Sequence, residues 1–510
     1  MRTQSNRLLL RVLSNVDLGS SIAEHDSLLW DARVETSAFL DLLQDKVDLI
    51  PGTKGSGKSA LYRLFVDYLG PSLLERRKVV VAYGVEKAGD AVFSAFRKAF
   101  SKMDEDEFVD FWCIYFVSLA HEQFIKNSEY STMLRPAASA VSGFRAACRQ
   151  AGIPEFKTQK SFQDVLQWAL GVLQSWRPKI RVVPPDGSAA VELDLFANTR
   201  DLPRKTGRSE SEELPLFVSR IREALEEVLS KADLTLWLMV DKLDELFLRR
   251  SKLETTALRA LLRTLRVFDS AAIRIKVFLR DDILEQVVAD GAGFVALTHV
   301  TDRKAKALRW SEEDILSMVV RRLFSSELLC VASEVDPSQL ADSDYREEAF
   351  YRIFPKTVFR GDKQSPTHRW IYNRLKDGRG VVTPRDVIDL LKFAQQMQQE
   401  VFVSRPDETS KYLLSSAAIQ YGYREVSKRK TETYLAAEFP HVWPVIQEFR
   451  GGKTAYTARA LRSLLGTGSR ETVDNLVSIG FLERERASEM YKIPFLYREG
   501  LALTQGTRRS

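Results

Sequence analysis

The sequence predicts an α/β protein. A parallel-sheet core carries a large helical insertion, and a helical lid and a small C-terminal domain of helices and a hairpin follow. Three observations support this. Short apolar runs bounded by charges recur at Val47–Ile50, Lys78–Val85, Leu234–Val240 and Ile273–Leu279. Each is too short for a lone buried helix and suits a strand covered on both faces. Helix-periodic segments separate the runs, the order expected of parallel strands joined by crossover helices. After about residue 300 the pattern turns helical, and from about 435 it shortens to small helices followed by two strand-like runs.

In chain order, residues 1–45 read as an N-terminal arm feeding the first strand. Val47–Ile50 ends in Pro51 and a glycine-rich loop. Lys58–Leu69 is helical in period, with Leu61, Leu64, Phe65 and Tyr68 on one face, and Gly70-Pro71 reads as its stop. The stretch 90–230 is mostly helical and aromatic-rich; Phe108, Phe111, Trp112 and Phe116 suit one buried face. Within it, Thr199–Leu214 is polar, holds Pro203 and Gly207, and reads as a mobile loop before the helical Leu216–Leu229. Leu258, Leu261, Leu262, Leu265 and Phe268 mark another helix. The core so defined spans 46–300, with the lid at 301–400. In the lid, Thr383-Pro384-Arg385-Asp386 is a helix start with Thr as N-cap, Pro first in the helix and an acid in the first turn. Residues 401–510 read as linker helices and a winged-helix-like domain, with Phe481–Glu485 and Tyr491–Tyr497 as its hairpin.

Composition narrows the function classes. Cys113, Cys148 and Cys330 lie far apart with no CxxC pair, and the five histidines are scattered. That pattern speaks against a disulfide framework or a zinc site and for a reducing compartment. The start, MRTQSNRLLLRVLSN, is broken by Arg11 and lacks a small-residue cleavage site. No apolar run reaches the roughly 18 residues of a membrane span, so the expected place is the cytoplasm, with no membrane partner. A net charge of +6 on 510 residues is too mild to indicate nucleic acid by itself.

The loop Gly52-Thr53-Lys54-Gly55-Ser56-Gly57-Lys58-Ser59, followed by Ala60, matches GxxxxGK[ST]. Glycines let the backbone wrap a phosphate with its N–H groups inward, and the following helix adds its positive end. Lys58 is placed to reach the β- and γ-phosphates and the Ser59 hydroxyl to ligate Mg2+. A metal-holding acid and a water positioner are then needed. The run Leu234–Val240 ends in Asp241-Lys242-Leu243-Asp244-Glu245. Asp241 stands at the strand's C-terminal end, where open α/β sheets place ligands, and is the expected magnesium acid. Asp244 and Glu245 both qualify as the water positioner.

VDKLDEL after an apolar strand resembles the extended Walker B segment of the NACHT and wider STAND signalling ATPases. With the KGSGKSAL loop and the FLRDDI strand, the chain also resembles a group of bacterial P-loop ATPases. The likeness covers most of the chain up to about 400 and is best over 47–65 and 234–283. It departs from ordinary AAA+ enzymes, which place Glu directly after the strand Asp, where this chain has Lys242. The resemblance implies ATP rather than GTP, a homo-oligomer, a protein trigger or effector, and a role in defence against phage. It also implies that Arg280, at the end of FLR, senses the γ-phosphate, and that Arg385, as in origin-recognition proteins, reaches the phosphates from the lid. Arg303 falls where related ATPases offer an arginine to a neighbour. The long stretch between Lys58 and Asp241 marks the helical region as an insertion, expected to carry partner recognition.

The basic cluster Arg424–Lys430, with Arg459, Arg462 and Arg470, would suit DNA phosphates if the winged-helix-like domain entered a groove, while Glu471, Asp474, Glu483 and Glu485 dilute that charge. The sequence therefore predicts an Mg-ATP-hydrolysing conformational switch. Its rivals are a DNA-acting ATPase, a nucleotide-gated scaffold with negligible turnover and, more remotely, a small-molecule kinase.

Overall fold

The computed structural model describes residues 4–84, 103–150, 169, 173, 210–243, 252–289, 302–361, 363–466, 469–485 and 489–508. They form two compact units. One contains Ser37–Thr53 and Lys58–Leu308; the other contains Met1–Thr36, Lys54–Gly57 and Arg309–Ser510.

The first unit is built on four parallel strands, β1 (Leu49–Gly52), β2 (Val79–Gly84), β3 (Thr235–Val240) and β4 (Ile273–Arg280), in the order β1-β4-β3-β2. All four apolar runs of the sequence are strands. From β1 the chain crosses to the far edge at β2 and returns through β3 to β4. The outer side of β1 is met by 303–308: Leu49 N donates to Arg303 O (3.2 Å), Ala305 N to Leu49 O (2.8 Å) and Leu308 N to Pro51 O (2.8 Å). The connection after β1 runs towards β2, while the chain beyond β4 reaches the opposite side of β1 at 303–308, so the C-terminal ends of β1 and β4 flank a topological switch point.

The central strands are buried because helices cover them. The helix Glu105–Ala120 starts on a capping box, with the Asp104 side chain accepting from Glu107 N and the Glu107 side chain accepting from Asp104 N. It packs on the helix Lys252–Val267, where Trp112 Nε1 donates to Ala257 O (2.9 Å). The predicted aromatic face Phe108, Phe111, Trp112 and Phe116 is fully buried in this core. One polar feature lies inside the sheet. Lys276 of β4 is buried, and its amine donates to Asp48 Oδ1 (2.7 Å), Val47 O (2.8 Å) and Asp45. Such a cation is tolerated because acids and a carbonyl replace its water.

Three local expectations are corrected. Gly70-Pro71 does not end the first helix. Lys58–Arg63 is α-helical, Leu64–Leu69 is π-helical, and Gly70–Arg77 is α-helical again with Pro71 in its first turn. The helical run continues because a π turn and a new first turn both relieve Pro71 of the i−4 bond that it cannot donate. The stop is Lys78, in the left-handed region at φ 59°. The polar segment Thr199–Leu214 is in part helix: Glu210–Leu214 opens the helix Glu210–Ala232, and 199–209 lie outside the described residues. Finally, Tyr491–Tyr497 is not one strand.

In the second unit, the N-terminal helix Asn6–Ser14 lies on the helix Pro384–Ser404. Asn6 Nδ2 donates to Arg405 O (2.7 Å), and Gln395 Nε2 donates to Leu13 O (2.9 Å) and Val16 O (2.8 Å). A buried Arg322 grips both oxygens of Asp26 (2.9 and 2.5 Å). One apolar core runs through Leu9, Val320, Leu390, Ile419, Tyr456 and Leu501. In it the helix Ser416–Arg429 packs closely against Pro384–Ser404. There Gly422 meets backbone: a Cβ on it would stand 2.3 Å from Leu390 O.

The C-terminal part has the order strand, two helices, hairpin, short helix, strand. The sheet is β8-β5-β7-β6, formed by β5 (Lys453–Thr457), β6 (Glu483–Glu485), β7 (Met490–Lys492) and β8 (Thr504–Arg508). The hairpin β6–β7 is where the sequence placed it, but its second strand stops at Lys492. Pro494, which has no N–H for the ladder, starts the helix Phe495–Arg498 instead.

Candidate functional site

The glycine-rich loop leaves the C-terminal end of β1. Gly52, its first residue, pairs with Arg280, the last residue of β4. On the next strand, Val240 pairs with Val277 of β4, so Asp241 follows at the same C-terminal edge. The sequence-predicted Gly52, Thr53, Lys58, Ser59, Asp241 and Arg280 therefore belong to one edge of one sheet. Asp244 and Glu245 lie outside the described residues.

The loop's shape follows from its glycines. Gly55 (φ 85°) and Gly57 (φ 98°) both adopt left-handed backbone, which costs an L side chain roughly 1–2 kcal/mol. Lys58 opens the helical run and folds its amine back over the loop, donating to Gly52 O (2.8 Å) and Thr53 O (3.0 Å). Ser59 and Ala60 follow in the first turn, half-buried. Two loop hydroxyls, Thr53 Oγ1 and Ser56 Oγ, are buried without a hydrogen-bond partner among the described residues. A buried hydroxyl left unmatched costs about 1–3 kcal/mol, so both are candidate contacts for a polar ligand.

Asp241 is 3% exposed. Arg280 is 8% exposed, and its fork holds Asp282, with Nε to Oδ1 at 3.0 Å and Nη2 to Oδ2 at 2.7 Å. That carboxylate fixes where the guanidinium points. Among the described residues, no group of three or more His, Cys, Asp and Glu is arranged to hold a metal ion. Magnesium asks for less protein than that, since one or two carboxylates plus substrate oxygens and water suffice. Ser59 and Asp241 are the candidates.

The crown of the loop, Lys54–Gly57, counts with the helical unit. Lys54 Nζ donates to Glu438 Oε1 (2.5 Å), a carboxylate only 3% exposed. Trp310 Nε1 donates to Ser56 O (2.7 Å). A Cβ on Gly55 would stand 3.3 Å from Arg385 Cβ and 3.5 Å from Thr383 Oγ1. Arg385 is thus beside the loop crown, with its Nε 3.4 Å from Ser21 O. Its helix starts as predicted, with the Thr383 side chain accepting from Asp386 N. Sequence reading missed Glu438 and Trp310, because nothing local marks a residue that acts on a loop hundreds of positions away.

Two arginine and lysine expectations change. Arg303 reaches Asp48 Oδ2 (2.5 Å) and Asp45 O (2.5 Å). Asp48 directly precedes β1, so this guanidinium is engaged at the N-terminal edge of the sheet, opposite the loop, and is not held out to a neighbour. In the basic cluster 424–430, Lys428 pairs with Glu425 (2.8 Å), Arg429 with Asp389 (3.2 Å) and Lys430 with Asp386 (2.8 Å). Lys430 is nearly inaccessible, and its pKa is raised, chiefly by Asp386 working against the burial that lowers it. Lys430 is the one of these drawn inside, against Asp386, whereas Arg424, Lys428 and Arg429 stay exposed, as do Arg459, Arg462 and Arg470.

Among the described residues no helix is long and apolar enough to cross a membrane. Comparison of the chain with known family models, characterised proteins and solved structures gives no match.

Proposed function

We propose that the chain is an Mg-ATP-binding ATPase that works as a conformational switch. One observation carries the reading. A GxxxxGK[ST] loop at the C-terminal end of β1 has left-handed glycines and two unmatched buried hydroxyls, and it shares its sheet edge with a buried Asp241. A generic glycine turn requires neither the strand–loop–helix context nor the acid.

The residues fit the nucleotide. The loop N–H groups and Lys58 hold the phosphates, and Ser59 and Asp241 hold Mg2+, which offsets charge on the β- and γ-oxygens. Arg280, oriented by Asp282, is the candidate to sense the γ-phosphate. Arg385, beside Gly55, is the candidate to report nucleotide state to the helical unit. Glu245 or Asp244 positions the attacking water. Phosphoryl transfer asks the protein mainly for positioned charge, and this set supplies it. Phosphate release from Mg-ATP tests the reading: it should be measurable in wild type, lost in Lys58→Ala, and lost in Glu245→Gln with ATP binding retained if Glu245 is the positioner. Nucleotide binding unchanged by Lys58→Ala would sink it.

The DNA-acting alternative rests on the C-terminal strand–helix–helix–hairpin order, which is that of a winged helix, and on exposed Arg459 and Arg462 on its first helix. The pairing of Lys430 with the buried Asp386, which takes one cation of the basic cluster out of reach, weighs against it. The switch is therefore preferred, with the C-terminal domain as a protein-docking element.

A further inference from the structure

The crown of the phosphate loop, Lys54–Gly57, belongs to the helical unit. It has three contacts there, each of a different kind. Lys54 is paired with Glu438, the Ser56 carbonyl accepts from the Trp310 indole, and Gly55 lies against the start of the Pro384–Ser404 helix. The ion pair is the one that a nucleotide would challenge. Lys54 is 34% exposed and sits in the turn that a triphosphate must line, whereas Glu438 is 3% exposed. A carboxylate that deep is stabilised by the cation it pairs with. An ammonium drawn toward phosphate loosens that pair, and a negative charge beside the loop also opposes an incoming polyanion directly.

From this arrangement we infer that Glu438 is an electrostatic restraint on the nucleotide site. It competes with the nucleotide's phosphates for Lys54, so that phosphate binding and the Lys54–Glu438 pair are linked in opposition. The inference rests on the nucleotide reading above and adds to it a residue whose charge opposes occupancy. Glu438 closes the short helix Ala436–Glu438, which continues the π-helical Lys430–Leu435. Lys430 in turn holds Asp386, in the first turn of Arg385's helix. Release of Glu438 therefore acts on the same helical segment that fixes Arg385. By linkage, what the nucleotide does to the pair, the pair does to nucleotide affinity.

The test is equilibrium binding of Mg-ATPγS to the full chain, for wild type, Glu438→Gln, Lys54→Gln and the double variant, with Lys58→Ala as the control. Glutamine keeps the volume of Glu438 and removes its charge. Expected is roughly tenfold tighter binding in Glu438→Gln, in the usual range of coupling between sites, and no further effect of that change on the Lys54→Gln background. Amide hydrogen exchange over 52–59, without nucleotide, should rise in both single variants. Equal or weaker binding by a folded Glu438→Gln, with wild type binding normally, overturns the restraint, as does unchanged exchange. A wild type that binds no nucleotide while exchange still rises overturns the nucleotide reading and leaves only the structural pair.

Discussion

Replacing Gly422 by alanine tests a close backbone contact in the helical unit. In an exposed helix, Gly→Ala stabilises by about 1 kcal/mol through backbone entropy. At position 422 the added Cβ would stand 2.3 Å from Leu390 O, 3.2 Å from Ala394 N and 3.2 Å from Leu390 C. Ordinary C···O contact is about 3.3–3.6 Å, so the two helices must part by roughly 1 Å. All three atoms are backbone and cannot rotate away. Overpacking of this kind costs about 1–3 kcal/mol, which exceeds the entropy gain and leaves Gly422→Ala destabilised by about 1–2 kcal/mol. Gly143, in the helix Ala138–Gln150, is the matched control, because a Cβ there meets nothing within 4 Å. Gly143→Ala should therefore gain up to about 1 kcal/mol. Urea unfolding followed by tryptophan fluorescence and by circular dichroism measures both. Changes of the same sign at the two positions would refute the close-approach argument.

Two further predictions concern titratable groups. Asp377 has its pKa raised by burial, although Val381 N and Arg379 N both donate to its Oδ1 at 2.9 Å. A raised folded-state pKa means that the native state holds the proton more tightly, so stability falls as pH rises from about the ordinary carboxyl value of 3.8 through the raised value. Asp377→Asn keeps an accepting Oδ1 and should abolish that acid-side slope; an unchanged slope in pH-dependent unfolding contradicts it. Cys113, Cys148 and Cys330 are all buried and unbridged, and burial raises the pKa of Cys113 and Cys330. A thiol reagent at neutral pH should label none of the three until the chain is unfolded, and fast labelling of the native protein would show that they are accessible.

How much of this was legible in the sequence depended on how local the cause was. The strands announced themselves because Leu234–Val240 is apolar on both faces and Ile273–Leu279 is apolar at every second position, and a strand's face pattern is written in adjacent residues. The start at Thr383-Pro384 was legible for the same reason. Gly70-Pro71 misled because the same dipeptide that stops a helix also suits a first turn, and the π segment before it is decided by packing. The partners of the basic run at 424–430 were not legible for a different reason. The acids that answer it are Asp386 and Asp389, a helix away, and only Glu425 is nearby. At the site, the loop and Asp241 were readable from motif and context. Glu438 and Trp310 were not, since their partners lie in the loop crown and no spacing rule connects them. Lys276 could have been noticed, because a lysine inside IRIKVFLR breaks an otherwise apolar run and implies buried acids.

Titration calorimetry of Mg-ATP into wild type and Lys58→Ala, both shown folded by circular dichroism, tests the central claim most directly. The account predicts saturable, magnesium-dependent binding at one site per chain in wild type, and its loss in Lys58→Ala. Equal binding by the two proteins, or none by wild type, would contradict it.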